Sequence, residues 1–258
     1  MKGKPGDRVE LPFFAAVVAF TQPKTLVEVG VHQAESTVEL VKAAEKVGGH
    51  LYGFDVWDRH GLKGQFPFVR KATKEACEDR LRQAGLKAFT LVQINTRTHR
   101  ADFEAKLDEL CPKGIDFAFI DGCHSYLGVR NDFAAVYPRL SPTGVVAFHD
   151  TMRIDGCREF VLDLRTKYND GTYDVVDFPQ GWRNWNCGIT LLVKRAFPAT
   201  DYAIEEVCGS IHTEREIEER ELAWYNVARK QANPESLDSE VPVVFDNLGR
   251  HDGRKKFA

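Results

Sequence analysis

The sequence lacks the marks of several protein classes. No stretch stays apolar for the ~20 residues that a membrane-spanning helix needs. The longest early apolar run, residues 11–20, contains Pro12 and is followed by no small-residue cleavage site, so no signal peptide is expected. Six cysteines (Cys77, Cys111, Cys123, Cys157, Cys187 and Cys208) are scattered without a Cys-x-x-Cys pair. That spacing argues against a zinc framework or a disulfide scaffold and fits reduced thiols in a cytoplasmic protein. The formal net charge of −3 gives no overall attraction for nucleic acid or anionic membranes, and neither is expected as a partner. The basic end, Arg254-Lys255-Lys256, is short enough to read as a solvated tail. Internal repeats and low-complexity segments are absent.

What is present is the pattern of an α/β protein. The 258 residues, 43% of them hydrophobic, suffice for one large domain with additions. Short β-branched and aromatic runs at 25–29, 50–54, 89–92, 115–120 and 144–148 read as strands covered on both faces. Helical patterns at 36–47, 67–84, 102–110 and 127–140 alternate with them, which implies a doubly wound, Rossmann-like parallel sheet. Two later strands, 173–178 and 188–194, follow a helix at 156–168, and the short link at 179–187 lets them pair antiparallel. The expectation is a seven-stranded sheet with its last strand antiparallel. Past Arg195 the composition changes, and residues 214–230 form an amphipathic helical pattern rich in Glu and Arg. Its apolar stripe packs on the domain or on a second subunit, so a homodimer is one expectation. The division expected is a domain over 1–198, with an N-terminal helical segment, and a helical extension over 199–258.

Ligands of doubly wound sheets sit at the carboxyl ends of the strands. The first strand ends Val27-Glu28-Val29-Gly30-Val31-His32-Gln33-Ala34-Glu35-Ser36. Gly30 permits a tight turn and a close approach of ligand to backbone, and Ser36 reads as the N-cap of the next helix. A carboxylate at Glu28 would repel a dinucleotide pyrophosphate but favours the ammonium and sulfonium of S-adenosylmethionine; the fingerprint Gly-x-Gly-x-x-Gly is also absent. The second strand ends at Asp55, which is placed to accept both ribose hydroxyls. Trp57 either covers an adenine face or belongs to the core. After the third strand, the amide of Asn95 is placed for the adenine edge.

The fourth strand ends Phe119-Ile120-Asp121-Gly122-Cys123-His124-Ser125-Tyr126 and the fifth ends Ala147-Phe148-His149-Asp150-Thr151. Neighbouring strand ends would aim two carboxylates at one point, where a divalent cation relieves their repulsion. Such a cation lowers the pKa of a substrate hydroxyl, and a neutral His124 takes its proton. Together with Glu28 and Gly30, these stretches resemble the class I S-adenosylmethionine-dependent methyltransferases, over roughly residues 24–194. The similarity is to small-molecule O-methyltransferases whose fourth strand ends Asp-Gly-x-His-x-Tyr and whose fifth ends His-Asp. It extends to metal-dependent enzymes of the catechol and macrolide-sugar types. His32 and Ala34 stand where the later glycines of the family's first motif usually stand.

The resemblance implies S-adenosylmethionine as cofactor, with Glu28, Gly30, Ser36, Asp55, Trp57, Asn95 and Asp121 as binding residues. It implies Asp121, His149 and Asp150 as ligands of Mg²⁺ or Mn²⁺. It implies His124 as general base, beside Asp121 and Asp150, acting on a small-molecule hydroxyl acceptor. His149 replaces an acidic residue usual in the well-studied metal enzymes, which leaves three pictures open. Asp121 and Asp150 hold a labile Mg²⁺; or His149 joins them around a transition metal; or no metal is present and Asp150 orients a histidine. Two other readings also remain: a hydroxylase-like relative in natural-product biosynthesis, and a non-catalytic binding protein on the same fold.

Overall fold

The computed structural model describes residues 10–57, 72–178 and 187–195. Two stretches fall outside them: that at 60–68, with its glycines and phenylalanines, and that at 181–186, with two tryptophans. The extension at 199–258 lies outside them as well. Helix α1 (Glu10–Thr21) is followed by β1 (Thr25–Val29), α2 (Glu35–Lys46), β2 (His50–Asp55), α3 (Lys74–Gln83) and β3 (Phe89–Gln93). Then come α4 (Arg100–Leu110), β4 (Ile115–Ile120), α5 (Tyr126–Val136), β5 (Leu140–His149), α6 (Asp155–Thr166), β6 (Tyr173–Phe178) and β7 (Ile189–Lys194).

The strands form one sheet in the order β3-β2-β1-β4-β5-β7-β6. β1 to β5 run parallel, and β7 is antiparallel to both β5 and β6. This is the Rossmann-like sheet with the reversed last strand that the hydrophobic pattern implies. Side chains alternate between its two faces. On β4, Phe117 and Phe119 pack with α1, α2 and α3, while Ala118 and Ile120 pack with α4, α5 and α6. Both layers are buried, which is why the central strands are apolar at nearly every position. Phe14 of α1 meets Phe119 edge-on at 4.5 Å, and Phe133, Phe148 and Phe160 cluster on the other face. Among the described residues, no helix is long and apolar enough to cross a membrane.

Several boundaries move for identifiable reasons. α3 begins at Lys74 because the Thr73 side chain caps it, accepting a hydrogen bond from Ala76 N at 3.2 Å. α5 stops at Val136 and gives way to a 3₁₀ turn at Tyr137–Arg139. Pro138 explains this, since it offers no N–H to extend the helical ladder. Ser36 does not cap α2: that position is Ala34, in left-handed conformation with φ 59°, and it makes no side-chain cap. Ser36 instead lies inside the helix and points back at β1.

The strand order reverses between β1 and β4, so their carboxyl ends flank the switch point where such sheets hold ligands. The turn there is tight. Gly30 has φ +96°, and a Cβ on it would lie 2.2 Å from the carbonyl oxygen of Asp121. The approach that Gly30 allows is therefore that of the β4 exit against the β1 exit. Gly156, at the start of α6, makes a second close approach, since its Cβ would lie 2.4 Å from the carbonyl oxygen of His124. Gly156→Ala must displace backbone rather than a flexible side chain. It should cost about 1–3 kcal/mol, the usual range for overpacking. Urea denaturation measures this; unchanged stability would mean that the His124 segment yields freely.

Candidate active site

The β4–α5 connection is four residues long before its cap. Asp121 N donates to Val29 O at 2.8 Å, which pins the end of β4 to β1. Ser125 caps α5 by accepting from Gly128 N at 3.1 Å. His124, held between these two anchors, folds back over Asp121. Its Nε2 lies 3.2 Å from Asp121 Oδ1 and 3.8 Å from Asp150 Oδ2. From β5, His149 Nδ1 lies 3.1 Å from the same Asp121 oxygen and 3.6 Å from Asp150 Oδ2. Asp150 begins the next turn, with φ 57° and its carbonyl accepting from Arg153 N and Ile154 N. A non-glycine residue in that region is strained, at roughly 1–3 kcal/mol. Four side chains named from sequence thus converge on one point.

The electrostatics of the group follow from its burial. Burial raises the pKa of Asp121, but the imidazoles of His149 and His124 outweigh it and hold the carboxyl well below its ordinary value. Asp150 shows the same contest, with burial opposed chiefly by His149, and its pKa is lowered. Burial disfavours protonation of His124, yet Asp121 and Asp150 prevail and raise its pKa. Asp150 Oδ1 is buried and has no hydrogen-bond partner. A buried carboxylate oxygen left in this way costs free energy unless a donor or cation meets it.

Sequence reasoning missed one member of the group. Cys187 offers a sulfur to a potential ion site with His149 and Asp150, their ligand atoms all within 4.8 Å of one another; Asp121, His124 and Asp150 form a second such set. The available signal was β7's reversed direction. β7 pairs with β5 so that Ile189 faces His149, which carries Cys187 to the carboxyl end of β5. Burial and the neighbouring Asp150 carboxylate push the Cys187 thiol up to about 11.

The remaining residues form a second cluster around the β1 and β2 exits. Asp55 Oδ2 accepts from His32 N at 2.7 Å, and Oδ1 accepts from Trp57 N at 2.9 Å. Both oxygens are thus engaged by backbone, and Asp55 joins the two strand exits. The indole N–H of Trp57 donates to His32 O at 3.2 Å, and its ring is buried in the core beside α2 and α3. His32 and Ala34 have φ 50° and 59°. The turn therefore keeps the left-handed backbone that glycine favours, although neither residue is glycine. Asn95 Oδ1 accepts from Arg97 N at 3.1 Å, and Asp55 O accepts from Ile94 N at 2.8 Å, so the β3 exit abuts the β2 exit.

Comparison with known proteins agrees with this architecture. Residues 27–151 match the family described as "Methyltransferase domain". The O-methyltransferase TomG from Streptomyces achromogenes, involved in tomaymycin synthesis and solved with SAM, superposes with a TM-score of 0.56 at 16% identity. The match covers 72% of this chain and 80% of that one. The O-methyltransferase from Bacillus cereus, solved with SAH, gives 0.57 at 14% identity, covering 75% and 83%. A Sinorhizobium fredii protein, y4gI, is 29% identical over 145 residues, which is 54% of this chain and 14% of its own length. The chain thus matches a small part of that longer relative. Residues 27–151 thus match a methyltransferase domain, on the Rossmann-like fold that those O-methyltransferase structures share. On this fold, β4 is followed by Asp121-Gly122-Cys123-His124-Ser125-Tyr126, and β5 closes at His149 with Asp150 directly after it.

Glu28 is fully buried, with Oε1 accepting from Ser36 Oγ at 2.6 Å and Oε2 buried without a partner. Burial raises its pKa from 4.5 to about 7, and the hydroxyls of Ser36 and Thr37 hold back part of that rise. A raised folded-state pKa contributes stability that is full below the unfolded value and is lost as pH climbs to the folded one. For Glu28 that window runs from pH 4.5 to about 7. Glu28→Gln keeps an acceptor for Ser36 and removes the charge. Above pH 7 it should exceed the native chain by about 3 kcal/mol, and the gap should narrow as pH falls. Urea titrations across this range read the gap directly; a gap independent of pH would show that Glu28 does not change protonation on folding.

Proposed function

We propose that the protein is an O-methyltransferase that uses S-adenosylmethionine to methylate a hydroxyl of a small molecule, with help from a divalent cation. The observation that carries this reading is the convergence of Asp121, His124, His149 and Asp150 at the switch point of a methyltransferase sheet. S-adenosylmethionine supplies an electrophilic methyl group on a positively charged sulfur. The neighbouring exits of β1, β2 and β3 offer Glu28, Gly30, Ser36, Asp55, Trp57 and Asn95 as its setting. Asp55, with both oxygens already bonded to backbone, presents its remaining lone pairs to the ribose and keeps the β1 turn in place. Glu28 acts from beneath the turn, because its carboxylate is buried against Ser36.

The residues present fit a cation. Asp150 Oδ1 is an orphaned buried acceptor, and Asp121 and Asp150 bring negative charge to one point. Asp121, His149 and Asp150 would hold the ion, whose Lewis acidity lowers the pKa of an acceptor hydroxyl. His124, its Nε2 engaged by the carboxylates, is the side chain that takes the acceptor's proton. A homodimer and a cytoplasmic setting belong to the same reading, as expectations from composition and from the stretch at 214–230.

The test is methyl transfer from isotopically labelled S-adenosylmethionine across a panel of hydroxyl compounds, with and without chelator. His124→Ala should slow turnover on a confirmed acceptor by ~10²–10⁴-fold, the usual contribution of a positioned base. Its affinity for S-adenosylhomocysteine should be preserved. Asp150→Asn should lose rate in a way that added metal partly restores. Full activity in excess EDTA with a metal-free protein would remove the cation from the mechanism.

A further inference from the structure

Resting on the cation reading above, we propose that Cys187 is a ligand of the ion and that the site selects a thiophilic transition metal of the Zn²⁺, Co²⁺ or Fe²⁺ kind over Mg²⁺. The geometry is built from three elements. His149 and Asp150 close β5, Asp121 closes β4, and Cys187 precedes β7, whose antiparallel register returns it to the same end of the sheet. The ligand atoms of His149, Asp150 and Cys187 lie within 4.8 Å of one another, and Asp121 Oδ1 lies 3.1 Å from His149 Nδ1. One imidazole, one carboxylate and one sulfur thus form a single set, with Asp121 standing beside His149 at its edge.

That donor set decides the metal. Mg²⁺ is a hard ion that takes oxygen ligands in near-octahedral order and keeps several waters. Sulfur and imidazole instead suit the borderline ions, and three protein ligands of mixed type with an open fourth position are a usual catalytic zinc site. The anchoring is firm. Met152 N donates to Cys187 O at 2.9 Å, so the backbone that carries the sulfur is tied to the turn after Asp150. A Cβ on Gly188 would lie 2.1 Å from Met152 Cγ, so this turn packs closely on the residue beside Cys187. Asp150 Oδ1, buried and without a hydrogen-bond partner, is the acceptor that a cation beside Cys187 would meet. Binding displaces the thiol proton to solvent, so uptake should release acid.

Cobalt(II) reports both the geometry and the sulfur. The full chain, freed of metal and titrated with Co²⁺, should take up one equivalent. It should develop ligand-field bands of low coordination number together with a near-ultraviolet thiolate-to-cobalt charge-transfer band. Zn²⁺ should displace the cobalt stoichiometrically, and a large excess of Mg²⁺ should not. Cys187→Ser should keep the ligand-field bands, lose the charge-transfer band and weaken Zn²⁺ binding by at least about tenfold, the lower end of what even outer-sphere substitutions cost at such sites. Cys187→Ala provides a second variant without a hydroxyl, and Cys123→Ser should leave the charge-transfer band in place. Cobalt bands without charge transfer in the native chain, or charge transfer that survives both Cys187 variants, overturns the cysteine ligand while the cation reading stands. Displacement of cobalt by Mg²⁺ overturns the selectivity. No uptake of any ion by calorimetry and metal analysis removes the cation reading itself.

Discussion

The structure turns on Asp121. Its backbone closes against Gly30 so tightly that no side chain could stand there, and its N–H is bonded to Val29. The same residue's carboxylate receives two imidazoles, one from its own loop and one from β5. Backbone packing and side-chain charge are therefore set by one position. If β1 and β4 separated at their exits, His124 and His149 would lose their shared partner. The two carboxylates would then stand near one another without compensation, a costly arrangement away from water.

Around this point the chain tolerates unfavourable local states. His32, Ala34, Trp57 and Asp150 all have positive φ without being glycine, and all lie at the carboxyl ends of β1, β2 or β5. Strain of this kind persists where the surroundings over-determine the conformation. Here the surroundings are visible. Asp55 grips the backbone N–H groups of His32 and Trp57, the His32 carbonyl accepts from the Trp57 indole, and Asp150 opens a hydrogen-bonded turn. The turn after β1 thus holds its shape through a carboxylate and an indole where glycines would hold it through backbone freedom.

The sheet was legible because its physics is local and periodic. The runs at 25–29, 115–120 and 173–178 are strands with those bounds. Uninterrupted apolar character signals a strand covered on both faces, and helices separated by such runs leave few topologies. Helix ends were less legible. Thr73 and Pro138 set theirs through a cap and a missing donor, whereas Ser36 looks like a cap in sequence and serves instead as a partner for Glu28. A serine ahead of an apolar stretch carries no information about which way its hydroxyl will turn.

The acidic and imidazole side chains of the site could be named from sequence because they stand at or within a few residues of the ends of β4 and β5, and strand ends of a doubly wound sheet meet. Asp121, His124, His149 and Asp150 were identifiable on that ground together with the family resemblance of the two strand-end stretches. What lay beyond reach depended on contacts between segments distant along the chain. Asp55 proves to be a tie between two strand exits, through amides that are 23 residues away in one case and two in the other. Cys187 reaches the site because β7 enters the sheet beside β5 rather than at its edge. Sequence determines which residues are apolar and where strands begin and end, since those follow from side chains and their immediate neighbours. Only the tertiary structure decides which buried carboxylate faces which histidine or sulfur, because that depends on register and strand order, set by the packing of the whole sheet.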